Sequence, residues 1–296
     1  MRDTEGAAEN SRARVNDDEA VQQLRADVIA RKNLPTIPAV LARILQLVES
    51  ESGSGRELIE VIEHDQVLTA KLLRLANSAF FGQSRRVATV PRAVVLLGYS
   101  TVRNLSLGVK IWDTLGRGIA RGRLEELWMH AVVVALAVKT VAAKMRAGNP
   151  DEAFTAGILH DIGRLVLAAR FQQEYWRALG ETGSGETLDA VERATFGVDH
   201  AEVGGWVLEA WGLPPGIVEA VRLHHGSAAR AGLPGLLAVV NRLVAWTDFA
   251  SGTMRSEPET FMEAAAARGI TAALWVEVVD RLRDGGELAA LGRLET

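Results

Sequence analysis

The residues of this chain whose types and spacing could do chemistry are its histidines: His64, His130, His160, His200, His224 and His225. His160 is followed by Asp161 in the apolar run Phe154-Thr155-Ala156-Gly157-Ile158-Leu159-His160-Asp161-Ile162-Gly163-Arg164, between two glycines. An imidazole and a carboxylate placed there need a partner, a metal or water, because unpaired burial is costly. Together they suit a hard or borderline divalent metal. The plain structural alternative is that Asp161 caps a neighbour and His160 is a hydrogen-bonded core histidine. The others have similar alternatives. His130 lies on an apolar helix face. His200 fills a helix start, although a cation there opposes the helix dipole. His224 and His225 precede Gly226, where a cation near a helix C-terminus gains about 0.3–1 kcal/mol. Their order carries more than any one of them: a lone His on a long helix, His-Asp, a His at a helix start, then His-His at a helix end.

The elements that must position these residues all read as helices. Asp17 or Asp18 can cap a helix to about Lys32, with Val21, Leu24, Val28 and Ile29 on one face, and Asn33-Leu34-Pro35 breaks it. Pro38 fits a first helical turn, followed by the stripe Val40, Leu41, Ile44, Leu45 and Val48. Two short helices, 56–64 and 66–77, meet near Asp65. Asn77 and Ser78 can end the second or, alternatively, make a contact to a ligand or between lobes. Pro91 opens the next helix, Gly98 stops it, and Ser100 or Thr101 can cap the one that runs to about Leu115.

The Gly/Arg stretch Gly116 to Arg123 reads as a flexible linker between two helical lobes, with a phosphate clamp as the functional alternative. A long helix from Leu124 to Met145 holds His130. Asn149-Pro150 caps and starts the helix carrying His160-Asp161. Segments 171–180 and 186–196 read as helices. Asp199-His200-Ala201-Glu202 is a capping box for a helix to Trp211. Pro214-Pro215 starts the helix ending at His224-His225. Helices at 234–250, about 258–268 and 271–291 complete the chain. No stretch alternates with period 2, and no glycine-rich phosphate loop appears. The fold class is therefore all-α. Residues 1–16 read as a disordered tail, 17–116 and 124–250 as two helical lobes, and 251–296 as a C-terminal helical extension.

Composition narrows the functions. The 296 residues are 48% hydrophobic and 24% charged, enough for a large core. A net charge of -4 and a pI of about 5.9 give no global pull toward nucleic acid or an anionic membrane. There is no cysteine, so any metal must use N and O ligands, and a reducing cytoplasm is the expected compartment. The N-terminus lacks the apolar core of a signal peptide. Leu127 to Ala143, interrupted by His130 and Lys139, reads as a buried helix rather than a membrane span.

His130 followed by His160-Asp161 resembles the HD superfamily of metal-dependent phosphohydrolases, whose helical bundle holds a divalent metal through H…HD…D. His200 and His224-His225 resemble the wider ligand set of its two-metal cyclic-dinucleotide phosphodiesterase branch, although the Gly-Tyr-Pro signature of that branch is absent. Matching the last motif to Val240-Asn241-Arg242-Leu243 puts Asn241 where the family has its final aspartate, and Asp248 lies seven residues on. The first half is similar to the HDOD domain, the HD-related output domain. Its motifs here are Leu34-Pro35-Thr36-Ile37-Pro38, Ile62 to Thr69, Leu73 to Gly82 and Ala93 to Gly98. In the second half they are Gly157 to Gly163, Asp199 to Gly204, Trp211-Gly212-Leu213-Pro214 and His224-His225. The resemblance covers about residues 30–250. Asp65-Gln66 replaces its usual Asp-Pro.

The resemblance implies a multi-helix HD-like bundle with an N-terminal helical lobe, used as a bacterial signalling module without a receiver domain before residue 34. Such a module would be non-enzymatic and would bind a signalling protein or a nucleotide second messenger. It also implies metal ligands His130, His160, Asp161, His200, His224 and His225, with Asn241 in the last position and Fe, Mn, Zn or Mg as the ion. The second function is a metal-dependent phosphohydrolase, in which the metal activates water for attack on phosphorus. Arg164 would then contact a phosphate oxygen, or, on the plain reading, form a surface ion pair. Nucleic-acid binding through Arg85, Arg86, Arg92 and Arg103 is a third reading, opposed by the acidic pI and the lack of interleaved aromatics.

Overall fold

Apolar stripes at helical spacing must be buried against one another. In the computed structural model helices do this throughout, apart from one pair of two-residue strands. The structure describes residues 19, 21–28, 38–49, 54–77, 87–180, 187–227, 230–248, 253–254 and 259–283. The tail expected at 1–16, the break at Asn33-Leu34-Pro35, and Arg85 and Arg86 lie outside them.

The first lobe comprises α1 (21–28), α2 (Ala39–Glu49), α3 (Gly55–Glu63), α4 (Gln66–Ala76) and α5 (Val90–Leu97). Leu24 and Val28 are buried as expected, and so are Leu41, Ile44 and Leu45, joined by Leu47. Asp65 separates α3 from α4 and accepts from the Leu68 amide at 2.9 Å, as a capping residue does. Asn77 ends α4. Its side-chain amide donates to the carbonyls of Leu73 and Val87, and its oxygen accepts from the Val87 amide. This closes the ends of one loop, so Asn77 acts as a cap and clamp.

The long α6 (Tyr99–Leu115) follows Gly98 directly. Gly98 has φ 86° and ψ 153°, a conformation that glycine adopts without strain, and it joins α5 to α6 in one residue. The expected cap at Ser100 or Thr101 is thus corrected: both lie inside the helix. Helix α6 packs against α2, α4 and α5 and also against α8 and α9. The Gly/Arg linker is shorter than expected, because α7 (Arg121–Met145) begins at Arg121. Arg121 pairs with Glu125 one turn on, and the Arg123 guanidinium lies over the Trp176 ring.

Helix α7 is buried nearly all round and packs against α8, α13 and α15. By length and composition it is the one helix among the described residues that could cross a membrane, but 72% of its apolar window is buried in the protein. Helix α8 (Pro150–Leu159) starts from the Asn149 cap, whose oxygen accepts from the Asp151 amide. Lys139 on α7 donates to Asp151 and to Thr101 of α6, and Asn104 of α6 donates to the Asp151 carbonyl. One polar knot therefore fixes three helices beneath the His-Asp pair.

The second half continues with α9 (Ile162–Gly180), α10 (Leu188–Phe196), α11 (His200–Ala210), α12 (Pro215–Arg222) and α13 (Gly232–Trp246). Gln172, with φ 48° and ψ -119°, divides α9 into two helical segments, and the second is the helix expected at 171–180. The helix expected at 234–250 stops at Trp246. Strand β1 (Thr247–Asp248) follows and pairs antiparallel with β2 (Thr253–Met254). Helices α14 (Glu259–Ala267) and α15 (Ala272–Arg283) come last, and Trp275 Nε1 donates to Thr247 Oγ1 at 3.1 Å. A single apolar cluster runs from Leu24 to Leu282 through both lobes.

Candidate metal centre

His160 and Asp161 do not sit within one helix, as the apolar run suggests, but at the joint between α8 and α9. The two flanking glycines explain how that joint is approached. A Cβ on Gly157 would lie 2.5 Å from Ala135 Cα of α7, and one on Gly163 would lie 2.0 Å from the His200 carbonyl oxygen. Neither helix could come so close with a side chain there. The joint thus meets α7, which carries His130, and α11, which begins with His200. His224 and His225 enter from the turn after α12, and Asn241 from α13.

The donor atoms converge. Asp161 Oδ1 lies 3.3 Å from His160 Nε2, 3.2 Å from His200 Nε2 and 3.7 Å from His224 Nε2. His200 Nε2 is 3.2 Å from His224 Nε2 and 2.8 Å from His225 Nε2. Ligands bound about 2.1 Å from a metal lie about 3.0–3.4 Å from each other. The orientation is set from outside the pocket, at the opposite ring nitrogens. His160 Nδ1–H donates to the Gly157 carbonyl at 2.7 Å, and His224 Nδ1–H to the Val221 carbonyl at 2.6 Å. His200 Nδ1–H donates to Glu192 Oε2 at 2.5 Å. Such outer hydrogen bonds fix the tautomer that presents an Nε2 lone pair. His160 Nε2 is buried with no hydrogen-bond partner. An orphaned imidazole nitrogen among other nitrogens and one carboxylate oxygen fits a divalent transition metal.

Electrostatics agree with that fit at four of the five imidazoles and oppose it at His200, whose proton a metal would displace. Burial pushes His130 and His225 down to about 4, and it also lowers His160 and His224, so these imidazoles are neutral at pH 7 as metal ligands must be. Burial acts the same way on His200, but the Glu192 and Asp161 carboxylates outweigh it and lift this group to about 10. Burial alone would raise Asp161. The charges of His160 and Arg164 and the His200 hydrogen bond instead hold its carboxyl well below the usual range.

Every ligand expected from the sequence lies in this cluster, including Asn241. His130 Nε2–H donates to Asn241 Oδ1 at 2.9 Å. His64 lies elsewhere, at the end of α3, where its Nδ1–H donates to the Glu60 carbonyl. Asp248 is in the β1–β2 pair, beyond the end of α13. Arg164 does not form the surface ion pair of the plain reading. It is largely buried, donates to Asp161 Oδ2 at 3.0 Å and reaches Tyr175 Oη at 3.4 Å. The capping box at Asp199 is half formed: Asp199 accepts from the Glu202 amide, while the Glu202 carboxylate accepts from Trp206 Nε1. Arg103 donates to the Leu47 carbonyl and to Asn104 Oδ1.

Three residues escaped the sequence reading. Glu192 takes the His200 ring and its amide, and Tyr175 donates to the other Glu192 oxygen at 2.8 Å. Asp189 Oδ1 faces His225 Nδ1 at 3.8 Å. A signal for Glu192 was present, since it falls between Leu188 and Phe196 at four-residue spacing, on the face of α10 that should be apolar.

A family model described as the HDOD domain matches residues 34–227. A protein from Shewanella amazonensis SB2B, provisionally described as a phosphohydrolase, is 25% identical in its crystal structure. The match has a TM-score of 0.72 and covers 92% of this chain and 97% of that one. An HDOD domain protein of unknown function from Geobacter sulfurreducens shares the fold at a TM-score of 0.69 and 23% identity, over 93% of this chain and 99% of that one. A relative from Treponema pallidum (strain Nichols), itself uncharacterized, is 24% identical over 226 residues. That match spans 75% of this chain and 42% of the relative, less than half of its length.

Proposed function

The chain belongs to the HDOD domain family, and from that premise we propose that it is a signal-transduction module that binds a divalent metal and acts by binding rather than turnover. Its partner would be a signalling protein or a nucleotide second messenger. One observation carries this reading: the centre of the pocket is buried, with His225, 24% exposed, and the half-buried His130 at its rim. The side chains of His160, Asp161, His200 and His224 are between 0% and 4% exposed, while the donors still converge. A phosphoester needs an open coordination position and a path to it. An ion held at so buried a centre instead stabilises the joint between α8, α9, α11 and α12, and a structural site of this kind adds folding energy.

The donor set itself favours a second reading, a metal-dependent phosphohydrolase. A divalent metal would supply Lewis-acid activation of water for attack on phosphorus. In that case His130, His160, Asp161, His200, His224 and His225 would hold one or two ions. Arg164, already spent on Asp161 and Tyr175, is poorly placed to contact phosphate.

Protein purified without chelator separates the two. Elemental analysis for Fe, Mn, Zn and Mg should find metal copurifying with the chain. Cyclic dinucleotides and nucleotide monophosphates should then show no turnover above that of metal-stripped protein. Turnover that disappears in His160→Ala would overturn the non-enzymatic reading, and absence of metal even after reconstitution would remove the metal from both.

A further inference from the structure

The pocket has two halves that share Asp161: His130 and His160 on one side, and His200, His224 and His225 on the other. They are not equally free to bind. On the first side His130 Nε2 and Asn241 Oδ1 are spent on each other at 2.9 Å. Asp161 Oδ2 is held by Arg164 at 3.0 Å. What remains there is His160 Nε2 and the shared Asp161 Oδ1. Two donors fall short of the three or four protein ligands that hold a metal of this type. The amide of Asn241 is also neutral, a weaker ligand than a carboxylate for a dication.

On the second side the donors also contact one another, but each contact joins imidazoles that can all turn to a metal, with no neutral amide among them. His200, His224 and His225 bring three Nε2 atoms to contacts of 2.8 and 3.2 Å around His200. Asp161 Oδ1 adds a fourth donor at 3.2 Å from His200 and 3.7 Å from His224. Their outer nitrogens are anchored or faced by Glu192, the Val221 carbonyl and Asp189. Resting on the metal-pocket reading above, we propose that the chain binds a single divalent transition-metal ion through His200, His224, His225 and Asp161 Oδ1, and that the His130–Asn241 hydrogen bond keeps the other half closed. Three imidazoles and one carboxylate oxygen select a borderline ion such as Zn, Fe or Co, and disfavour Mg, which prefers an oxygen octahedron.

Cobalt(II) is the probe, since its visible absorption reports nitrogen ligation and coordination number without any activity assay. Metal-stripped full-length protein should take up one Co(II) per chain by equilibrium dialysis. His225→Gln, at a side chain that is 24% exposed, should lower the affinity by at least tenfold and alter the spectrum, with near-UV circular dichroism confirming that the fold is kept. His130→Ala should leave stoichiometry and spectrum unchanged. Asn241→Asp should admit a second ion. Two ions in the unaltered chain, or binding lost with His130 and kept with His225→Gln, would overturn the location. Asn241→Asp protein that still takes one ion would overturn the closing role of the His130–Asn241 pair. No Co(II) uptake by any variant would instead remove the metal-pocket reading itself.

Discussion

Glu192 touches no donor at the centre of the pocket, yet it determines which nitrogen His200 offers there. It accepts from the His200 ring and amide, and it is itself held by Tyr175. A carboxylate behind a metal-binding imidazole fixes the ring and raises its basicity, and losing such a partner typically costs 10–100-fold in metal affinity. Glu192→Gln keeps the shape and removes the charge. It should weaken metal binding by about that factor while far-UV circular dichroism stays unchanged, and an affinity within twofold of the original would deny Glu192 this positioning role. The ligands themselves were legible in the chain because their types and order are unusual. Glu192 was passed over although its spacing from Leu188 and Phe196 sets it on an apolar face, because nothing in the chain says that this face meets His200. Asn241 was legible as a departure, but its bond to His130 required the two helices to be placed 111 residues apart in sequence.

At the scale of elements, the pocket depends on how closely α9 and α11 approach. Gly163 sets that distance, since an added Cβ would meet the His200 carbonyl oxygen at 2.0 Å and the Gly204 amide nitrogen at 2.7 Å. Backbone atoms on both sides leave no flexible side chain to give way. Gly163→Ala should therefore push α11 outward, carrying His200 from Asp161, at a cost of about 1–3 kcal/mol or more. Gly180, at the far end of the same helix, has no atom within 4 Å of its added Cβ, so Gly180→Ala serves as the tolerated control. Urea unfolding of both variants reads the difference, and equal midpoints would show that the α9–α11 contact is not limiting. Most helices could be read from apolar periodicity and from caps such as Asn149, Asp199 and Gly98. The break at Gln172 fell where the segment starting at 171 put it, although neither proline nor glycine marks it. Contacts on either side hold it: Phe171, just before it, stacks on Phe196, and Tyr175, just beyond it, donates to Glu192. The start of α7 was misplaced because glycines and arginines look like a linker, whereas Arg121 and Arg123 find partners only once Glu125 and Trp176 are near.

At the scale of the molecule, the two lobes meet along α6, which the linker reading of Gly116 to Arg123 placed at a lobe's edge. Trp112 of α6 donates to the Ile158 carbonyl of α8, two residues before His160, and packs edge-on against Trp128 of α7. On its other side α6 is pinned to the first lobe by two ion pairs, Lys110 to Asp65 at 2.7 Å and Lys71 to Asp113 at 2.6 Å. Asp65 also caps α4. Burial alone would raise its pKa, but the Lys110 ammonium and the Leu68 and Val67 amides outweigh that and hold the carboxyl below its ordinary value. A carboxyl depressed in the folded state binds protons more readily when the chain unfolds. Its contribution is thus complete above the unfolded value of about 3.9 and is lost as pH falls through the lower, folded value. Lys110→Met removes the partner and leaves the carboxylate largely buried, which should destabilise the chain at pH 7 on the order of 1.5–3 kcal/mol. Because the loss acts through Asp65, the gap between Lys110→Met and the original chain should narrow as the pH drops below about 4, where both carboxyls take up protons. Denaturant titrations at pH 7 and near pH 3 measure both gaps. A gap that stays constant would mean that the lysine stem matters rather than its charge, and Lys71–Asp113 would then be the ion pair that ties the first lobe to α6.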